Sequence, residues 1–220
     1  MQLLRRPKAA IFDLDGVLLD TEPLYTLATQ RIVRRYDKVF GWDLKARTLG
    51  GDAAYGARLV IDALELPMTP EEYLRERVTI LRELFVDPSP IRGAPEWVST
   101  LKSAGMKIAV GTSSYRELCD IKWRNHPWLQ EFAVFVCGDD KEVRACKPSP
   151  DIFLTAARRL NVPPADCVVF EDSPAGVTAA RSAGMQVIAL PDPALDRGLV
   201  SHADLVLGGY GELSLATLGF

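Results

Sequence analysis

Histidine is almost missing from this sequence: among 220 residues only His126 and His202 occur. Mechanisms built on a histidine base, and zinc centres held by imidazoles, are therefore poorly served. Cysteine is scarce too. Cys119, Cys137, Cys146 and Cys167 are scattered with no C-x-x-C pair, which implies a reduced, cytosolic protein with largely buried or inert thiols rather than a disulfide framework. Excess positive charge is also lacking. The formal net charge of -3 excludes a general nucleic-acid binder. No apolar run reaches the roughly 18 residues a membrane helix needs. No apolar stretch follows the basic residues of "MQLLRRPKAA" before the first strand, so no signal peptide is expected. A soluble, cytoplasmic monomer without nucleic-acid or membrane partners is the expectation.

What is present is ordinary globular material, 48% hydrophobic and 25% charged. Short, uniformly apolar, β-rich runs recur: "AAIFDLD", "MKIAVGTSS", "FAVFVCGDD", "CVVFEDS", "MQVIALPD" and "ADLVLGG". Strands covered on both faces read this way, and their alternation with helical segments predicts an α/β fold around a doubly wound parallel sheet. "SAGM" occurs twice, at 103–106 and 182–185, each time closing a helix and entering a strand.

From about residue 20 to 90 the alternation stops and only helical patterns remain. Thr69-Pro70-Glu71-Glu72 is a capping box with Pro at the first helical position, and Leu74, Val78, Leu81 and Phe85 follow at helical spacing. Gly50-Gly51 interrupts the chain before a helical run through Tyr55, Leu59 and Leu64. The prediction is an all-helical insert at 20–90 in a core formed by 1–19 and 91–220. "VDPSPIRGAP" is the returning linker.

The strand ends carry the chemistry. In an open parallel sheet the ligand crevice lies at the carboxyl ends of the strands. The first strand ends in Asp13 and Asp15, the second in Thr112, Ser113 and Ser114, and a later one in Glu171 and Asp172; Lys147 follows the third. Period-two geometry puts Asp13 and Asp15 on one side with Leu14 opposite. Such carboxylates are costly together unless a cation neutralises them, and oxygen-only ligands favour magnesium. Metal, lysine and hydroxyls converging at sheet ends suit a phosphoryl group. Ser149-Pro150 and Ser173-Pro174 read as N-cap and first helical residue, directing two helix dipoles at the same place.

Each of these residues has a plainer reading. Asp13 and Asp15 resemble the start of a calcium loop, but Val17, Leu18 and Leu19 replace the remaining acids. Glu171 and Asp172 could simply favour a helix N-terminus. Lys147 alone would be a surface lysine. Asp139-Asp140 reads as a turn. "GDAAYGAR" has part of the spacing of a P-loop without its Lys-Ser/Thr, so Gly50 and Gly51 are better read as an insert element approaching the site. Glu22 and Tyr25 sit where the chain enters the insert and could touch substrate, as could Arg116 after the second strand.

The ordered motifs "FDLDGVLLD", "GTSS", "KPSPDIF" and "VFEDSPAGVTAARSAGM" make the chain resemble the haloacid dehalogenase superfamily over nearly its whole length. "RYDKVFGWDLKA", "LPMTPEEY", "GDDKEV" and "VFEDSPAGV" resemble a subgroup that includes pseudouridine-5'-phosphatases and glycerol-3-phosphatases. The resemblance implies a Rossmann-like core with a helical cap. It also implies a magnesium-dependent phosphatase of a small phosphorylated metabolite. It makes Asp13 the nucleophile that forms an aspartyl-phosphate, and Asp15 the acid that protonates the leaving oxygen and then assists water. Thr112 and Ser113 would bind the phosphoryl group, and Lys147 would neutralise it. Magnesium would be held by Asp13, the carbonyl of Asp15 and Asp172, with Glu171 helping directly or through water. A phosphomutase using the same aspartates and a non-catalytic, phosphoryl-responsive module are the alternatives. A dehalogenase is disfavoured by the acid at Asp15.

Overall fold

The computed structural model describes residues 3, 5–49 and 53–220. Gly50 and Gly51 lie outside these residues, as does Asp52. Six parallel strands form one sheet: β1 (Ala9–Phe12), β2 (Lys107–Gly111), β3 (Val134–Val136), β4 (Cys167–Glu171), β5 (Gln186–Ala189) and β6 (Leu205–Val206). Their order, β3-β2-β1-β4-β5-β6, reverses direction between β1 and β4. Each falls within one of the six apolar runs read from the sequence. In β1, period two separates the sheet's faces. Ala10 and Phe12 join one buried cluster, while Ala9 and Ile11 join the other. Phe12 stacks on Phe170 of β4 at 4.6 Å between ring centroids. This burial on both faces explains why the strand interiors are apolar, with polar residues such as Lys107, Gln186 and Glu171 only at strand ends.

Between β1 and residue 90 the described residues form helices and no strand of the sheet: α1 (Glu22–Val33), α2 (Trp42–Ala46), α3 (Ala53–Leu64) and α4 (Pro70–Leu84). Their apolar faces meet one another in clusters of their own, one including Ile32, Val33, Val60, Ile61 and Tyr73, another Ala28, Leu81 and Phe85. The capping box at α4 is present: Glu72 N–H donates to Thr69 Oγ1, and Thr69 N–H to Glu72 Oε2. The chain leaves and re-enters the sheet region through adjacent passages. Asp20 N–H donates to the Ser89 carbonyl and Ile91 N–H to the Leu18 carbonyl.

After β2 come α5's successors in chain order: α5 itself (Ala94–Ser103) precedes β2, and α6 (Arg116–Trp123), α7 (Asp151–Leu160) and α8 (Pro174–Ser182) follow β2, β3 and β4. At α8 the expectation holds, with Ser173 as N-cap accepting from Gly176 N–H and Pro174 opening the helix. At α7 it does not. The helix begins at Asp151 with Pro150 in the N-cap position, and Ser149 Oγ donates to Asp151 Oδ1 instead. Asp151 is drawn back to the preceding loop, accepting from the N–H groups of Arg144 and Ala145. No described helix is long and apolar enough to cross a membrane. No disulfide links the cysteines, and Cys119, Cys137 and Cys167 are buried.

Candidate active site

Strand β1 ends one residue before the first aspartate, yet pairing continues: Asp13 N–H donates to the Phe170 carbonyl. Leu14 is fully buried in the core, while Asp13 and Asp15 face a cavity of about 300 Å³. The orientation expected from the sequence is therefore kept although the strand is shorter. Gly16 then turns the chain with φ of +76°, and an added Cβ there would collide with the Asp172 carboxylate. Glycine is required by both conformation and proximity.

Because the sheet's order reverses between β1 and β4, Asp13 and the pair Glu171-Asp172 emerge side by side at the switch point. Ligand oxygens of Asp13, Glu171 and Asp172 lie within 4.8 Å of one another. Lys147, from the loop after β3, enters this group almost fully buried. Its Nζ donates to Asp13 Oδ1 at 2.8 Å and to Glu171 Oε1 at 2.6 Å, and it lies 4.8 Å from the centre of the Phe153 ring. The Lys147–Pro148 peptide is cis.

Glu171 is the least available of the three carboxylates. Oε1 accepts from Lys147, and Oε2 accepts from the N–H groups of Asp172 and Ser173 and from Ser173 Oγ. An added Cβ at Gly176 would collide with this carboxylate, so the first turn of α8 wraps closely around it. Glu171 is thus built to hold Lys147 and the start of α8.

The charge left over is negative. Burial pushes the Asp13 carboxyl up to about 7; the nearby charges of Glu171 and Asp15 push the same way, and Lys147 opposes them. Burial raises Asp172 well above the ordinary carboxyl range, with Glu171 and Asp13 adding to the rise. Two such carboxylates beside a shared space, with oxygen donors only, fit a hard divalent cation such as magnesium. Among the described residues, Asp13, Glu171 and Asp172 are the acids near this space that could hold such an ion, and the bonds already made by Glu171 leave Asp13 and Asp172 the freer two.

Asp15 is in a different state. Burial would raise its carboxyl, but the Lys122 charge and hydrogen bonds from Lys122, Thr21 and Ser114 outweigh that and hold it below the ordinary range. Lys122 Nζ contacts Oδ1 at 2.5 Å, Thr21 Oγ1 donates to the same oxygen, and Ser114 Oγ donates to Oδ2 at 2.7 Å. Lys122 is fully buried and its own proton affinity is raised, chiefly by Asp15 acting against burial. Sequence reading missed this lysine. It sits within "RELCDIKW" of α6, where helical spacing gives no hint that it points inward.

Thr112 is buried at the end of β2, and its Oγ1 accepts from Ser114 N–H. Ser113 Oγ is buried without a protein partner and belongs to a residue lining the cavity. Glu22 and Tyr25 line it as well. Glu22 lies 3.5 Å from Lys45 Nζ, and Tyr25 OH is 3.1 Å from Ser114 Oγ. Burial raises both groups, Glu22 being partly relieved by Lys45. Arg77 of α4 adds a cation to the same wall, 4.8 Å from the Tyr25 ring centre, with a buried Nε that has no partner. Neither Lys45, within the "RYDKVFGWDLKA" stretch, nor Arg77 was singled out as a site residue from the sequence. Ala53, Ala54 and Ala57 of α3 also line the cavity.

Arg116 does not join the site. Its guanidinium donates to Asp140 Oδ1 and the Phe135 carbonyl, away from the cavity. Asp139 accepts from Arg116 N–H, and Asp140 also pairs with Arg159, so these acids order the turn after β3. Their charges satisfy α6 and α7, which accounts for an arginine near the second motif that never reaches the cavity.

Comparison with known proteins agrees with this geometry. Residues 7–184 match the haloacid dehalogenase-like hydrolase family. The chain is 41% identical to a probable pseudouridine-5'-phosphatase of Drosophila melanogaster, over 99% of this chain and 96% of that protein. It is 40% identical to (DL)-glycerol-3-phosphatase 1, mitochondrial, of Arabidopsis thaliana, over 90% of this chain and 68% of that protein. Among solved structures, CbbY of Rhodobacter sphaeroides in complex with xylulose-(1,5)bisphosphate superposes with a TM-score of 0.80. It is 27% identical, covering 96% of this chain and 99% of that one. With the aspartate pair, the buried lysine and the acidic switch point on one parallel sheet, this chain belongs to the haloacid dehalogenase-like hydrolases.

Proposed function

We propose that the protein is a magnesium-dependent phosphatase of a small phosphomonoester that works through an aspartyl-phosphate on Asp13. The observation that carries this reading is the junction of Asp13, Lys147 and Asp172 at the floor of a cavity walled by α1, α3 and α4. Relatives named for pseudouridine 5'-phosphate and glycerol 3-phosphate support a nucleotide-like or polyol phosphate as substrate.

A carboxylate of Asp13 attacks phosphorus while the ester oxygen departs with a proton from Asp15. Water then attacks phosphorus, gives its proton to Asp15 and releases the Asp13 carboxylate with inorganic phosphate. In the present arrangement Asp15 is ionised, so it needs a proton before the first step. A phosphate monoester, whose second ionisation lies near pH 6, can bring one. Lys147 offsets charge on the phosphoryl oxygens and holds Asp13 in place. Ser113 Oγ and Thr112 supply hydroxyls at the end of β2. Asp13, the carbonyl of Asp15 and Asp172 would hold magnesium, which neutralises the phosphate and the crowded carboxylates.

The helical stretch 20–90 acts as a cap in this reading, pivoting on the paired passages at Leu18–Asp20 and Ser89–Ile91. Its wall is mixed: Glu22, Lys45, Arg77, Thr29 and Tyr73 line the cavity alongside Leu74 and Val78, with the hydroxyls of Thr29 and Tyr73 bonded to each other at 3.1 Å. A polyol or sugar-like leaving group, with hydroxyls to bond and a short carbon face, suits such a surface. A panel of phosphorylated metabolites ranked by kcat/KM, with magnesium and with chelator, tests the proposal. Release of free phosphate from a small ester only when magnesium is present is expected. Formation of an isomer in place of free phosphate would make it a mutase.

A further inference from the structure

We infer that Lys122 is a positioning residue that aims Asp15 and ties it to the cap helix α1; the inference rests on the phosphatase reading above. The ammonium of Lys122 is fully buried, and each of its three protons has an acceptor: Asp15 Oδ1 at 2.5 Å, Ser114 Oγ at 2.9 Å and Tyr25 OH at 3.0 Å. The donor directions close without conflict. Ser114 Oγ donates to Asp15 Oδ2, which leaves Ser114 to accept from Lys122 and from Tyr25 OH. A buried cation is expensive unless its partners are complete, and here they are complete.

The partners come from separate parts of the chain. Asp15 follows β1, Ser114 follows β2, Lys122 is on α6, and Tyr25 is on α1. Phe85, at the end of α4, places its ring centre 4.4 Å from the ammonium and packs edge-on to Tyr25. The lysine therefore sits where the helical insert meets the sheet. Any displacement of α1 that carries Tyr25 away removes one of the three acceptors and one neighbour of Ser114. Without Lys122, Asp15 would be held only by the neutral hydroxyls of Thr21 and Ser114.

The role is separable from simple support of the fold through the leaving group. An alkyl phosphate needs a proton on its departing oxygen, whereas 4-nitrophenyl phosphate releases a stable phenolate without one. kcat/KM reports only steps up to the first release, so it isolates the action of Asp15 as acid. Lys122→Met should lower kcat/KM for glycerol phosphate about 100-fold or more, and for 4-nitrophenyl phosphate by less than about tenfold. Lys122→Arg should recover part of the alkyl-ester loss. Tyr25→Phe keeps the ion pair and the ring packing, and should show the same bias at smaller size even where Lys122→Met fails to fold. Equal losses on both esters in the folded variants, or no loss on either, would overturn the inference. Wild-type turnover and its loss in Asp13→Asn report on the phosphatase reading; the ratio between the two esters reports on Lys122 alone.

Discussion

Two buried lysines divide the acidic residues of the site between them. Lys147 serves Asp13 and Glu171, and Lys122 serves Asp15. Asp172 makes no salt bridge among the described residues, and in the proposed reading it is a magnesium ligand. Removing one member of a buried pair strands the other charge, at a cost of about 3–5 kcal/mol. Lys147→Met should therefore unfold at a clearly lower temperature than wild type and lose turnover; an unchanged melting curve would mean that Asp13 and Glu171 find another partner. On the cavity wall, Arg77→Leu leaves the sheet-end residues intact. It should raise KM for the preferred ester with a smaller change in kcat, as measured by steady-state kinetics. At this scale the sequence was partly legible. Asp13, Thr112 and Lys147 stand at strand ends or in short motifs, where position implies direction. Lys122, Lys45 and Arg77 lie within helices, and which face turns inward depends on packing between elements far apart in the chain.

At the scale of elements, the start of α8 is the most tightly specified join. Ser173 caps the helix while its N–H and hydroxyl also bind Glu171, and Gly176 leaves no room for a side chain against that carboxylate. Gly176→Ala must push Glu171 or the helix turn aside, at a cost of about 1–3 kcal/mol. Thermal unfolding should fall by roughly 2–4 °C per kcal/mol in a chain of this size. An unshifted transition would show that the carboxylate relocates freely. The strands and the capping box of α4 could be read from the sequence because local rules, apolar runs and side-chain caps, fix them. The start of α7 could not. Its N-terminus is set by Asp151 bonding back to Arg144 and Ala145, a contact that propensity does not encode. Arg116, which from the sequence could have touched substrate, is instead held by the turn at Asp139-Asp140.

For the whole molecule, the concentration of buried carboxyls makes stability depend on pH and metal together. An ordinary aspartate has a pKa of 3.8, and Asp13 in the folded protein is pushed up to about 7. Between these values the unfolded chain has already lost a proton that the folded one retains. The contribution of Asp13 to folding is thus full below about pH 4 and falls as pH rises through 7. A divalent cation takes the proton's place, so it should bind more tightly as pH rises. Saturating magnesium should raise the melting temperature more at pH 8 than at pH 5.5; equal shifts would separate the metal from Asp13. The sheet order mattered most for this picture. Motif sequence alone suggested that Asp13 and Asp172 meet, and the reversal between β1 and β4 supplies the reason. The central claim is that the phosphoryl group passes through Asp13. Rapid acid quench of the enzyme during turnover of a phosphate ester with magnesium, followed by peptide mapping, tests it most directly. Phosphoryl label on the peptide containing Asp13, absent in Asp13→Asn, is the predicted result; turnover that persists in Asp13→Asn with no labelled peptide would contradict it.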